Sequence, residues 1–359
     1  MNVLPLLLPL VIAIALSAQV DPRSALLERD AWAALNAGNT HAATEAFDEA
    51  IAADPKSARN HLGAATAAFL ERRYDDAMTA VEQALTLDSR LAAARALLGQ
   101  VQRRLGRLPD AIRTYEALVA DTPGDRDAAD TLDRWRREAG VHDRMQQAVG
   151  HHFTVSFDGP AEAALADQAL EALDRAYWRI GELLGSYPNA PVPVILYTAE
   201  QFSDITRSPA WAAGAYDGTI RVPMRGALDN PGELDRVLAH EFAHALVYTL
   251  APQFVPAWLN EGLASALEAD SLAWASKQVD QAAEPLPLRT LQSGFGRMSG
   301  DQARLAYATS ALIVGRMLDE NGGFAVANLL RDIGAGVPFD AAFLRRFQRS
   351  FEDFQSARH

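Results

Sequence analysis

The sequence contains no cysteine. Disulfides, thiolate-bound zinc, iron–sulfur clusters, cysteine nucleophiles and a lipid-modified N-terminal cysteine are all excluded. Lysine is almost as scarce: Lys56 and Lys277 are the two among 33 basic residues. A positive balance is missing as well. The net charge is −13, the wrong sign for displacing counterions from nucleic-acid phosphates and a weak argument against anionic membrane surfaces. What is present is ordinary globular composition, 49% hydrophobic and 22% charged over 359 residues. That length suits two domains, or three small ones, and a chain able to bury a sizeable core.

Val3–Leu16 is an apolar run containing Pro5 and Pro9, followed by the small residues Ala15, Ser17 and Ala18. It is short for a membrane span and suits the apolar region of a secretory signal, although no Lys or Arg precedes it. Residues 1–18 therefore read as a signal peptide, or alternatively as an uncleaved anchor. Both readings put the bulk of the protein outside the cytoplasm.

A period of 34 residues follows. Gly38, Arg72 and Gly106 line up. So do Ala43, Ala77 and Ala111, then Phe47, Val81 and Tyr115, then Ala50, Ala84 and Leu118. Pro55, Ser89 and Pro123 close the units. Small residues let paired helices approach, a larger one fills the gap between them, and Pro ends the second helix. The pattern resembles the tetratricopeptide (TPR) repeat, in three units over 24–125. Asp127–Ala139, with Trp135, reads as a capping helix that completes a repeat region of 24–140. Such an array presents a concave surface to a protein partner or an extended peptide, or serves as a spacer.

From about 150 the period changes. His152–Phe157 alternates like a strand, Ala161–Leu184 reads as a long amphipathic helix, and Val192–Tyr197 as a buried strand. Ala215–Val222 reads as a hairpin turning at Asp217-Gly218. Asn230-Pro231-Gly232-Glu233 opens a helix, with Asn as cap and Pro in the first turn. On that helix lies His240-Glu241-Phe242-Ala243-His244. A spacing of four puts both imidazoles on one face, where they can share a metal. Glu241 can aim its carboxylate at a water on that metal. The segment Ala257-Trp258-Leu259-Asn260-Glu261-Gly262-Leu263-Ala264 follows, with 16 residues between His244 and Glu261. That leaves room for a loop and a return helix that brings Glu261 to the metal. Two His, one Glu and a water make a four-coordinate zinc site of the catalytic kind, with one open position.

HEFAH followed by WLNEGLA resembles the gluzincin zinc metallopeptidases, and most closely the peptidase MA-like domains fused to TPR arrays in bacterial envelope proteins. The resemblance covers about 150–355. It implies an α-superhelical TPR array followed by an α+β gluzincin-type domain with a small mixed sheet, and C-terminal helices over about 301–355. It implies Zn2+ held by His240, His244 and Glu261, with Glu241 as general base. Glu268, seven residues after Glu261, is placed to orient a ligand histidine or is an exposed helical Glu. Tyr307, on a helix over Asp301–Glu320, is the candidate oxyanion stabiliser, and Tyr248 is a weaker rival. A core role for Tyr307 is the alternative.

The hairpin is placed to offer an edge strand to an extended substrate. No GxMEN-type segment, by which the aminopeptidase branch holds a free N-terminus, precedes the metal helix, so an endopeptidase is favoured. Gln292–Gly300 reads as a flap or a surface loop. His151-His152 and Ser310 read as structural. The expected protein is a zinc-dependent peptidase of the bacterial periplasm or envelope acting on a peptide or protein, with the repeats recruiting substrate or partner. It binds no nucleic acid, and it meets a membrane only through an uncleaved N-terminus. A catalytically silent peptide-binding adaptor is the rival reading, and a zinc hydrolase of non-peptide amides a third.

Overall fold

The computed structural model describes residues 22–356 apart from 38, 160–161, 207–214, 224–230, 253–254, 269–270, 283–285, 293 and 296–297. The N-terminal run, the cap Asn230 and parts of the Gln292–Gly300 segment lie outside the described residues. Among the described residues no helix is long and apolar enough to cross a membrane.

The repeat region is helical throughout: α1 (Pro22–Asn36), α2 (Thr40–Ala53), α3 (Ala58–Leu70), α4 (Tyr74–Leu87), α5 (Ala92–Arg104) and α6 (Leu108–Asp121). They pack as consecutive pairs, each pair stacking on the next. The residues of the 34-residue period are the buried ones: Ala43, Phe47, Ala50, Ala77, Val81, Ala84, Ala111, Tyr115 and Leu118. The turn residues Arg72 and Gly106 both take left-handed backbone, with φ 60 and φ 74. Glycine accepts that conformation freely and arginine does not, so at Arg72 the repeat geometry overrides local preference.

The capping helix α7 (Arg126–His142) starts from Asp125, whose side chain accepts the Ala128 N–H. It runs a turn beyond the expected end, and that last turn reaches the second domain. There the elements are β1 (Gln146–Val149), β2 (Phe153–Phe157), α8 (Ala163–Leu184), β3 (Val192–Tyr197), α9 (Ala199–Thr206), β4 (Ala215–Tyr216) and β5 (Ile220–Pro223). Helices α10 (Pro231–Leu250), α11 (Ala257–Leu267), α12 (Ala273–Asp280), α13 (Gly300–Asn321), α14 (Gly323–Gly334), α15 (Phe339–Phe347) and α16 (Phe351–Ser356) follow. Strand β1 and helix α9 have no counterpart in the sequence reading. β1 is mostly exposed, without the alternation that marks a half-buried strand.

The five strands form one mixed sheet in the order β1-β2-β3-β5-β4. β2–β3 and β3–β5 are parallel, while β1–β2 and β4–β5 are antiparallel. Side chains alternate between its two faces. Phe153, Val155, Val194, Leu196, Ile220 and Val222 face the main core with α8 and α10. Ile195 and Tyr197 face the other way, against Phe202 and Ile205 of α9 and Val141 at the end of α7. The repeat array is thus joined to the sheet through its own capping helix. Glu138 of α7 is 1% exposed. It accepts from Arg103 of α5 at 2.5 Å and from Arg221 of β5 at 3.5 Å. His142 and the Tyr197 hydroxyl lie 2.6 Å apart.

Candidate metal centre

Helix α10 carries two faces. Leu234, Leu238, Phe242, Ala245 and Leu246 are buried in the core. His240 and His244, one turn apart, face the other way, with ring centroids 4.9 Å apart. Helix α11 returns across them. Its approach to α13 is set by Gly262, where a Cβ would lie 2.6 Å from the Ser310 carbonyl oxygen. That close packing seats Glu261 beside the histidines and brings Tyr307, one turn before Ser310, into the same site. Ser310 itself is fully buried between the helices, a packing position.

Glu261 Oε2 lies 3.7 Å from His240 Nε2 and 3.5 Å from His244 Nε2. One ligand atom from each of the three lies within 4.8 Å of the others. Ligand atoms on a tetrahedral zinc ion with bonds of about 2.0–2.2 Å are roughly 3.3–3.6 Å apart. The opposite edge of each ring is held. His240 Nδ1 is 2.7 Å from Glu268 Oε2, and His244 Nδ1 is 3.0 Å from Asn260 Oδ1. An amide oxygen only accepts, so His244 Nδ1 is the donor to Asn260, and Nε2 is turned toward Glu261. Glu268 in turn accepts from Arg236 at 2.7 Å, and Arg236 also donates to Glu233.

The electrostatics agree with a cation-binding site. Burial opposes ionisation of Glu261, but the two histidines outweigh it and hold its carboxyl far below the usual range. Burial likewise disfavours a charged His240, yet its bonds to Glu261 and Glu268 raise it to about 10. His244 is raised, with burial again opposing and Glu261 prevailing. Glu241 is 4% exposed, and that burial pushes its carboxyl up against the pull of both histidines. Its Oε2 has no hydrogen-bond partner among the described residues. Glu268 is paired with Arg236, and Glu261, held ionised, supplies negative charge to a cation between the imidazoles. The donor set, the turned-in Nε2 atoms and the orphaned Glu241 oxygen fit zinc.

A family model described as the peptidase MA superfamily matches residues 172–354, just over half of the chain. The chain belongs to the peptidase MA superfamily. Two tetratricopeptide repeat models match residues 29–92 and 68–134 of this peptidase MA protein. Among solved structures, the second TPR domain of human RPAP3, in complex with an HSP70 peptide, is 27% identical. It covers 32% of this chain and 96% of that one, with a TM-score of 0.31. The first TPR of Spaghetti (RPAP3), bound to an HSP90 peptide, is 19% identical, covering 33% and 95% with a TM-score of 0.32. No curated protein matches the chain.

Within this peptidase MA domain the structure brings together His240, His244, Glu261, Glu241, Glu268 and Tyr307. The Tyr307 ring is 6.3 Å from His240 and packs edge-on against Phe295 at 5.1 Å. Burial raises its hydroxyl, followed by the charges of Glu261 and Glu241 and a hydrogen bond to Glu261, so it stays protonated. Tyr248 is turned instead toward Tyr216 of β4, ring to ring at 6.0 Å. His152 stacks on Tyr177 at 3.7 Å, away from this cluster. Two participants escaped the sequence reading, Asn260 and Arg236. Asn260 stands directly before Glu261, a signal in plain view. Arg236 is one turn ahead of His240 on the same helix, and nothing marks it apart from other surface arginines.

Proposed function

We propose that this protein is a zinc-dependent endopeptidase whose repeat array recruits a protein substrate or partner. The observation that carries the reading is the convergence of two Nε2 atoms and Glu261 Oε2 beside the unpartnered, buried Oε2 of Glu241. When bound, the metal supplies Lewis acidity to a water and to the scissile carbonyl. His240, His244 and Glu261 hold it, and Glu268 and Asn260 lock the rings that present it.

Glu241 takes the proton of the attacking water and returns it to the leaving amine. Its buried, raised carboxyl is a stronger base for taking that proton than an exposed glutamate. The Tyr307 hydroxyl, held protonated, donates to the oxyanion as charge develops there. Among the described residues the short strand β4 ends the sheet, and its outer edge offers main-chain groups to an extended peptide. Extended binding along an edge favours cleavage within a chain.

The N-terminal apolar run supports placing this activity outside the cytoplasm, in the cell envelope. N-terminal sequencing of the protein recovered from cells tests the signal, since a start at Ala18 or Gln19 is expected.

The experiment on function is Glu241→Gln in the zinc-loaded protein. Hydrolysis of a casein or degenerate peptide pool should fall to background while about one zinc per chain is retained. Cleavage that survives in the variant defeats the reading. Wild-type protein that carries zinc but spares every peptide while cutting other amides points to the non-peptide hydrolase. A cellular role that survives Glu241→Gln points to the adaptor.

A further inference from the structure

A cleft of about 390 Å³ separates the third repeat from the β4–β5 hairpin, lined in part by Gln100, Arg103, Arg104, Tyr216, Asp217 and Arg221. The hairpin tip lies against the end of α5: a Cβ built on Gly218 would sit 4.0 Å from the Arg104 carbonyl oxygen. The charge here runs against that of the whole chain. Four guanidiniums, Arg103, Arg104, Arg134 and Arg221, line it, and the carboxylates beside them are Glu138 and Asp217. Positive charge is in excess there, in a protein of net charge −13.

Two of these arginines have unspent capacity. Arg104 is exposed and makes no ion pair among the described residues. Arg221 is 4% exposed, and its Nε–H, though buried, has no acceptor among the described residues. A buried donor without an acceptor is costly, and Arg221 already serves Glu138 and Asp217 with its terminal nitrogens. The cleft also borders β4, the strand that packs on α10, the helix of His240 and His244. Tyr216 of β4 lines it, and its ring packs on Tyr248, one turn beyond His244 on α10.

We propose that this cleft is a subsite for a carboxylate of the peptide that lies along β4. Arg104 supplies the open guanidinium, and Arg221 supplies fixed positive charge and a spare N–H behind it. The repeat array then does more than recruit: its third unit forms one wall of the substrate site and selects acidic peptides. From the proposed function this takes only that a peptide lies along β4. The carboxylate is either an acidic side chain or the peptide's C-terminus.

The test is binding rather than cleavage, in the full-length zinc-loaded Glu241→Gln protein. Fluorescein-labelled, alanine-rich peptides carry a single Glu scanned through successive positions. Their Gln counterparts are made alongside, each with a free or amidated C-terminus. Fluorescence anisotropy should show the Glu peptide, at a defined position, binding about tenfold tighter than its Gln partner at low salt. If the terminal carboxylate is the ligand, the acid should exceed the amide by a similar factor instead. The advantage should shrink as salt is added. Arg104→Gln, an exposed substitution, should remove most of it and leave neutral peptides unaffected, while Arg104→Lys keeps part.

Equal affinity for charged and neutral peptides, including no binding by either up to their solubility limit, overturns the proposal. So does an advantage that persists in Arg104→Gln. Selective binding would stand even if the wild-type protein cut nothing. Cleavage of neutral peptides would equally survive failure here, so the two readings fail separately.

Discussion

Glu268 Oε2 stands 2.7 Å from His240 Nδ1, and Arg236 holds the other oxygen of that carboxylate at 2.7 Å. The histidine ring is thereby fixed in tautomer and direction by a chain of two charged residues behind it. Glu268→Gln keeps the shape and removes the charge, and should weaken zinc binding about 10–100-fold. Competition against a chromogenic chelator measures it. Unchanged affinity would make Glu268 a spectator.

Zinc binding should release protons at neutral pH. In the metal-free protein His240 titrates at about 10, so at pH 7 its proton must leave before Nε2 can ligate. Calorimetry in buffers of different ionisation enthalpy should count at least about one proton per zinc, and affinity should climb as pH rises from 6 to 9. The sign for stability without metal is the reverse. A raised histidine pKa stabilises fully below its unfolded value of about 6.5, and that contribution is lost as pH rises through the folded value. Chelator-treated protein should therefore lose stability on the alkaline side, where zinc-loaded protein holds.

Tyr307→Phe removes one hydroxyl and little volume. If that hydroxyl meets the oxyanion, kcat should fall about 10²–10³-fold with KM little changed and the melting temperature intact. A drop of only a few-fold would return Tyr307 to a packing role against Phe295.

Gly262→Ala places a methyl where α11 meets α13, 2.6 Å from the Ser310 carbonyl oxygen. The helices must part, at a cost of roughly 1–3 kcal/mol. Zinc affinity should fall with stability, because Glu261 rides on the displaced helix. Thermal unfolding with and without zinc separates the two effects, and an unchanged melting temperature would refute the close-packing argument.

The sequence by itself determined what depends on short spacing. Residues four apart on a helix share a face whatever surrounds them, so HEFAH announced two histidines able to grip one ion. The 34-residue period announced which alanines and aromatics would be buried, because each repeat meets its neighbour in the same way. Alternation announced the faces of β2. What joins distant segments was left to the tertiary structure. Sequence spacing does not measure the distance from Glu268 to His240, or from Tyr307 to Glu261. Those distances depend on how closely α11 lies on α13, and a single missing Cβ at Gly262 sets that. The docking of α7 on the sheet, through Glu138 and His142, likewise depends on a partner surface assembled from β3, β5 and α9. That junction is where the repeats and the peptidase MA domain come to share a cleft, and no local pattern in either encodes it.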